Sequence, residues 1–208
     1  VVVKETDLYV RATSNLSRKV QRLVVKYRNL LEKYIARHHD FLTSLEPVSV
    51  AEDAPRIAKL MAEAGEKAKV GPWSAVAGAI AEFVGTDLAP FTPELIIENG
   101  GDIYLKSQKK RVVGIYAGES PLSGKIGFEI EPCQTPIGVS TSSGTVGHSL
   151  SFGKADAVTI VADSAILSDA AATAICNLIQ QPEDINKGIE FAQKIAGLKG
   201  MVIIIGET

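Results

Sequence analysis

The fold turns on residues 94–106, ELIIENGGDIYLK. Residues 94–98 and 102–106 are short apolar-rich runs of the kind that form strands, with Ile, Leu and Tyr dominating. Between them, Asn99, Gly100 and Gly101 form a turn sequence, because paired glycines reach positive φ and let another backbone come close. Downstream, residues 111–117 (RVVGIYA), 125–131 (KIGFEIE), 137–141 (IGVST) and 157–162 (AVTIVA) are further predicted strands divided by Gly, Pro and Ser. Residues 167–180 and 182–196 read as helices, the second opening on a proline. Residues 201–205 (MVIII) are fully apolar, which predicts a central strand. Upstream, residues 1–12 read as one strand. An apolar repeat every three or four residues from Leu16 to Leu45 predicts a single long helix, capped at Ser14 or Asn15 and stopped by Pro47. A second helix begins near Asp53–Pro55 and buries Ile57, Leu60, Met61, Ala64 and Ala68. Residues 73–84 (WSAVAGAIAEFV) form a third, so rich in Ala and Gly that a neighbouring backbone or a ligand can approach it closely. Helices clustered beside mostly sequential strands predict an α+β fold. We expect one compact domain over residues 1–208, with mixed or antiparallel sheets packed by long helices.

The bulk properties exclude several classes. The 208 residues are 46% hydrophobic and 22% charged with a formal net charge of -2, which is neither a disordered chain nor a coiled coil. Near-neutral charge argues against a dedicated nucleic-acid binder, and no apolar run reaches the ~18 residues of a membrane span. Cys133 and Cys176 match no CxxC spacing, and with His38, His39 and His148 they make a poor soft-metal set. No signal peptide is visible, so reduced cysteines and a cytoplasmic location are expected. The long helix carries a basic side of Arg18, Arg22, Lys26, Lys33 and Arg37, either a solvated face or a surface for a polyanion.

Four stretches can carry chemistry. The Glu98–Asp102 stretch (ENGGD) is either a plain hairpin turn or a place where backbone meets ligand. Residues 138–148 (GVSTSSGTVGH) place many hydroxyls and glycines directly after a strand, where N–H groups and hydroxyls can cradle phosphate oxygens; a polar turn is the alternative, and no GK[ST] makes it a Walker loop. His148 can act as acid or base near neutral pH, but the GxSxG elbow of a serine hydrolase is absent. In Ser168–Thr173 (SDAAAT), Asp169 and Thr173 lie four apart on one helix face. Together they can offer hard oxygens to Mg²⁺; alternatively Asp169 favours the helix dipole and Thr173 bonds back to a carbonyl. Glu5, Asp7 and Glu98 are either site carboxylates or strand-end charges.

In this order the stretches resemble the ApbE-like superfamily of flavin transferases, whose pattern runs GAIAKG, N-x-GG-D/N, STSG, a His before a DPRTG-type loop, a VTV strand and an ADALATA helix. Here Gly78-Ala79-Ile80-Ala81 stands for the first. Asn99-Gly100-Gly101-Asp102 stands for the second, one residue tighter. Ser140-Thr141-Ser142-Ser143-Gly144 stands for the third with an extra serine, followed by His148, Val158-Thr159-Ile160 and residues 168–174. The match spans about residues 70–180, and residues 4–10 (KETDLYV), 34–45 (YIARHHDFLTSL) and 118–127 (GESPLSGKIG) look like a shorter branch of that superfamily. The resemblance implies binding of FAD and Mg²⁺, cleavage of the pyrophosphate and transfer of FMN to a hydroxyl. It assigns metal ligation to Asp169, Thr173 and a main-chain carbonyl near Ala79–Ala81, taken as Ala81. It makes His148 the catalytic base, and it lays the Asn99–Asp102 and Ser140–Gly144 segments against the nucleotide. Two departures stand out. Glu82 and Phe83 replace the Lys and Gly of GAIAKG, and the DPRTG-type loop is contracted to residues 149–153 (SLSFG), without its Asp and Arg. The expected function is therefore a Mg²⁺-dependent enzyme or binder acting on a flavin or another nucleotide pyrophosphate. The alternatives are a non-catalytic flavin- or nucleotide-binding module, or an interaction protein using the basic helix face. The expected partner is a small anionic, nucleotide-like ligand.

Overall fold

The structure, a computed structural model, describes residues 1–146 and 151–208. Its framework is a seven-stranded sheet, antiparallel at every step. In spatial order the strands are β1 (Val2–Val3), β2 (Thr6–Ala12), β3 (Leu95–Asn99), β4 (Asp102–Lys106), β7 (Ile137–Ser142), β8 (Ala157–Ala162) and β9 (Leu198–Ile204). A separate ribbon pairs β5 (Arg111–Gly114) with β6 (Gly127–Ile130). The helices are α1 (Ser17–Ile35), α2 (His39–Thr43), α3 (Arg56–Ala68), α4 (Val76–Leu88), α5 (Ala165–Leu178) and α6 (Ile185–Ala192). The α+β expectation therefore holds, with one compact antiparallel sheet covered by helices.

Strand alternation sorts the side chains onto two unlike faces. Leu95, Ile97, Tyr104, Val158 and Ile160 point to the helices and join the main core. Leu105, Ile137, Val139 and Val161 point the other way, where Ile130, Val113 and Phe128 of the ribbon cover them. α4 lies over β3 and β4, while α5 lies over β7 and β8 and against α3 and α4.

Several elements differ from the sequence reading. Residues 1–12 are a hairpin rather than one strand. Lys4 takes a positive φ of 51°, and Val3 pairs with Thr6. The helix expected to Leu45 stops at Ile35, and His38 leaves the helical region before α2 begins. The break turns Phe41 into the core, fully buried, where its ring meets those of Tyr34 and Trp73 edge-on. The apolar repeat continues through the break, so it reads as one helix. MVIII lies in an edge strand, not a central one: among the described residues β9 pairs with β8 alone. Its apolar side chains are covered by packing on its faces, with Gly188 of α6 against Ile203 and Phe128 against Gly200. Of the basic residues on α1, Lys26 is tied to Asp87 at 3.1 Å. No described helix is long and apolar enough to cross a membrane.

Candidate functional site

The turn between β3 and β4 has two residues, Gly100 and Gly101, with φ of 64° and 105°. Both positive values suit the tight hairpin turn that matches strand twist, and both favour glycine. The turn is anchored to α4 by Asn99, whose Nδ2 donates to the Ala77 carbonyl at 3.1 Å. Asp102 opens β4 on the helix-facing side, opposite Ser140 of β7, and is buried.

α5 closes over this corner. Gly78 lets α4 and α5 touch, since a Cβ there would lie 2.1 Å from the Ala165 carbonyl oxygen and 2.9 Å from Asp169 Cβ. That contact brings Asp169, itself buried, to the first turn of α4, where its Oδ2 accepts from the Gly78 N–H at 2.8 Å. Early helix N–H groups lack intrahelical partners, so a carboxylate from another helix is a favourable cap. The crowding of Ala and Gly in residues 73–84 thus serves a backbone contact.

Asp169 and Asp102 are both buried acids. Burial pushes the Asp169 carboxyl up to about 7, against the lowering effect of the Gly78 and Ala77 N–H groups. Burial also raises Asp102 well above the usual carboxylate range; the Asp169 charge raises it further, and a hydrogen bond from Ser140 acts the other way. Ser140 continues into the core, 2.7 Å from the Ser168 hydroxyl, which donates to the Ala165 carbonyl at 3.1 Å. Two carboxylates buried together without a compensating cation are costly unless protonated or metal-bound.

The corner opens into a cavity of about 1010 Å³. One wall is the outer face of the sheet, with Tyr9, Ile96, Ile103 and Val139. The opposite wall is β5, with Val112 and Val113, and the end is Asp102, Asp169 and Thr173. β5 is held over the sheet by Arg111, which donates to Glu94 Oε2 at 2.7 Å and to Ser107 at 3.0 Å. That pairing holds Glu94 down at about 2. Lys110 is engaged by Glu129 and Glu131. Lys110 and Arg111 are therefore already paired; Arg11, the third lining cation, is not among the groups that shift Asp102 or Asp169.

The structure brings together Asn99, Gly100, Gly101, Asp102, Thr141, Ser142, Ser143, Asp169 and Thr173 as lining residues. Glu5 and Glu98 line it as well, while Asp7 is exposed and does not line it. Three expected residues lie elsewhere. Ser140 is fully buried behind Asp102. Gly144 is not among the lining residues; its N–H bonds to the Ala155 carbonyl at 2.9 Å. Ala81 is fully buried in the interior of α4, whereas Ala77 lines the cavity. His148 lies outside the described residues, as do residues 149–150 of the contracted loop.

The two substitutions in GAIAKG also fall away from the cavity. Glu82 accepts from the Ser164 hydroxyl at 2.6 Å and the Ile166 N–H at 3.2 Å, capping α5. Phe83 packs on Tyr27 with ring centroids 5.0 Å apart. The Glu82 carboxylate thus faces a helix N-terminus rather than the cavity. Ser164 is also the N-cap of α5. A serine before an apolar run was the signal that the helix starts at Ala165 rather than 167.

Sequence comparison bears on the same residues. The family model described as "AbpE bacteria" matches residues 1–197. The chain belongs to this ApbE-like family. Within it, a UPF0280 protein of Methanocaldococcus jannaschii is 44% identical over 99% of this chain and 86% of its own length. A UPF0280 protein of Methanopyrus kandleri is 46% identical over 100% of this chain and 86% of its own. Among solved structures, the flavin transferase ApbE from Vibrio cholerae is similar at 14% identity and a TM-score of 0.43, covering 96% of this chain and 78% of that one. The Pseudomonas stutzeri flavinyl transferase ApbE gives 17% and 0.47, covering 97% and 75%.

Proposed function

We propose that this ApbE-family protein is a Mg²⁺-dependent enzyme acting on the pyrophosphate of FAD or a similar nucleotide. The carrying observation is the buried pair Asp102 and Asp169, set with Thr173 at the end of the large cavity. Carboxylates and a hydroxyl are the hard oxygen donors that Mg²⁺ takes, with waters and phosphate oxygens completing its shell. No cationic side chain is among the groups that shift either acid, so a divalent ion fits their charge. Asp169, Asp102 and Thr173 would hold the ion, and Ala77 replaces Ala81 as the α4 residue at the cavity. When bound, Mg²⁺ neutralises the pyrophosphate and polarises its phosphoryl oxygens.

The chain's own residues supply position. The Gly78 N–H fixes Asp169, and Ser140 does the same for Asp102, so neither acid must reorganise when the ion arrives. Thr141, Ser142 and Ser143 line the wall beside them, within reach of a polar ligand. His148, in the same segment, is assigned the proton of the attacking hydroxyl or water. The flavin assignment rests on family membership and on the motif order. The reading without chemistry, a flavin-binding module, is supported by the lost Asp and Arg in the contracted loop, whereas Glu82 and Phe83 lie away from the cavity.

Incubation with FAD and Mg²⁺, followed by chromatography, tests the reading. Release of AMP that stops with EDTA and in Thr173→Val supports the enzyme. Mg²⁺-dependent FAD binding without AMP supports the binding module. Failure of FAD, ADP and ATP to bind with Mg²⁺ rejects both.

A further inference from the structure

The large cavity has the form of a step. The β5–β6 ribbon covers only part of the sheet's outer face: Val113 and Phe128 pack over Leu105, Val139 and Val161, and Phe128 reaches Gly200 of β9. Over β2 and β3 the same face is open among the described residues. Tyr9 and Arg11 are exposed there, and Ile96 and Glu98 are only half-buried. The riser of the step is β5, since residues 110–114 line the cavity in succession and no residue of β6 is among them. Side chains alternate between the two faces of a strand, so a strand lined in unbroken succession presents its edge.

That edge is free. The Ile115 N–H donates to the Ile126 carbonyl at 3.0 Å, in register with the pairs Arg111–Ile130, Val112–Glu129, Val113–Phe128 and Gly114–Gly127. Bonded and unbonded pairs alternate along an antiparallel ladder. Arg111, Val113 and Ile115 therefore bond to β6, and the N–H and C=O groups of Val112 and Gly114 point out of the ribbon. Both residues are exposed, and a Cβ at Gly114 would meet nothing within 4 Å. Donors and acceptors two residues apart on an open strand edge are a template for a further strand. The rim adds two features of a binding surface. Tyr9, Val112 and Tyr116, all largely exposed, cluster at this cavity, and such apolar clusters mark interaction sites. Arg11 lines the open side and is in no ion pair among the described residues.

We propose that the free edge of β5 receives an extended peptide segment of a partner protein, which adds to the ribbon as a third strand and lies over β2 and β3. Main-chain bonds to Val112 and Gly114 hold it, and alternate side chains give specificity. A strand added ~4.8 Å from β5 stacks ~10 Å above the sheet, the spacing of packed sheets. Its sheet-facing side chains meet Tyr9 and Ile96, which take apolar groups, and Arg11, which takes a carboxylate. The inference goes beyond the pyrophosphate chemistry and does not depend on it.

The full chain, without metal, is titrated with a blocked heptapeptide that has an aspartate at each end and serine alternating with valine between. Its sequence reads the same in both directions, so either strand orientation brings an acid to Arg11. Amide NMR should show saturable shifts and slowed exchange at Val112 and Gly114. Two N-methylated forms separate strand addition from adsorption, one methylated at the valines and the other at the serines. Only one of these sets of N–H groups can face β5, so one form should bind and the other fail. Arg11→Ala should weaken binding about threefold, as expected for an exposed ion pair. Val112→Pro removes an outward donor at an edge position, where proline is tolerated, and should abolish binding; if it does not fold, the methylated pair decides. Absence of shifts at Val112 and Gly114 overturns the proposal, as does an equal result from the two methylated forms. Unchanged binding by Arg11→Ala overturns the placement over β2. Protection of these amides without peptide, growing with protein concentration, would mean that a second copy fills the edge and also overturns it.

Discussion

α4 and α5 cap each other, and the two caps differ in everything but their hydrogen bonds. Asp169 of α5 accepts from the Gly78 N–H at the start of α4, and Glu82 of α4 accepts from the Ile166 N–H at the start of α5. Glu82 shares its end with the Ser164 hydroxyl and packs away from the cavity. Asp169 shares its end with a second buried acid and faces the cavity. One carboxylate is stabilised by its helix and needs nothing more. The other is over-buried and over-charged for a cap alone, and such excess is what a binding site retains.

The contrast can be broken most sharply with Mg²⁺ itself. Thr173→Val should remove most of the Mg²⁺-induced rise in melting temperature, which amounts to about 2.7 kcal/mol of stabilisation at a hundredfold excess over Kd. Glu82→Gln should leave that rise intact. An equal loss in both variants, followed by differential scanning fluorimetry, would erase the distinction between the caps.

Neutralising each cap without metal should give opposite signs. Asp169→Asn keeps an oxygen for the Gly78 N–H and relieves the acid pair, so the metal-free protein should gain about 1 kcal/mol, or roughly 2–4 °C at this size. Glu82→Gln loses a charge from a helix N-terminus and should cost about 0.5–1 kcal/mol.

pH sharpens the comparison further. Asp169 is raised to about 7 in the folded chain, against an ordinary aspartate value of ~3.9 when unfolded. The folded state therefore holds the extra proton between these values, and metal-free stability should fall as pH rises through this window. Asp169→Asn should reduce that slope, leaving the part that buried Asp102 contributes. Urea unfolding at pH 5 and pH 7.5 measures it.

The smallest expected effect concerns the ribbon. Glu94, held at about 2 by Arg111 and Ser107, stabilises the fold above the ordinary glutamate value. That contribution should fade as pH drops from ~4.3 towards 2. Glu94→Gln should cost about 0.3 kcal/mol and loosen β5, read as faster amide exchange at Val113.

Much of the corner was legible because its signals are local. Asn-Gly-Gly between two apolar runs states a hairpin, and Asp169 and Thr173 at four-residue spacing state a shared helix face. What was hidden depends on contacts distant in sequence. Nothing near Glu82 says that it meets Ser164 at the start of α5. Nothing near Arg28 says that its guanidinium enters the hairpin of β1 and β2. The run MVIII signals burial, but burial by α6 and the ribbon is indistinguishable from burial inside a sheet. The apolar repeat from Leu16 to Leu45 likewise records which residues are buried, not the break at His38 that redirects Phe41.

The central claim is that Asp102, Asp169 and Thr173 hold one divalent cation at the end of the large cavity. Isothermal titration with Mn²⁺ at pH 7.5, in the wild type and in Asp102→Asn, tests it most directly. One saturable site in the wild type, lost in the variant while its melting temperature holds, is the predicted result. No site in the wild type, or a site that Asp102→Asn leaves untouched, would contradict it.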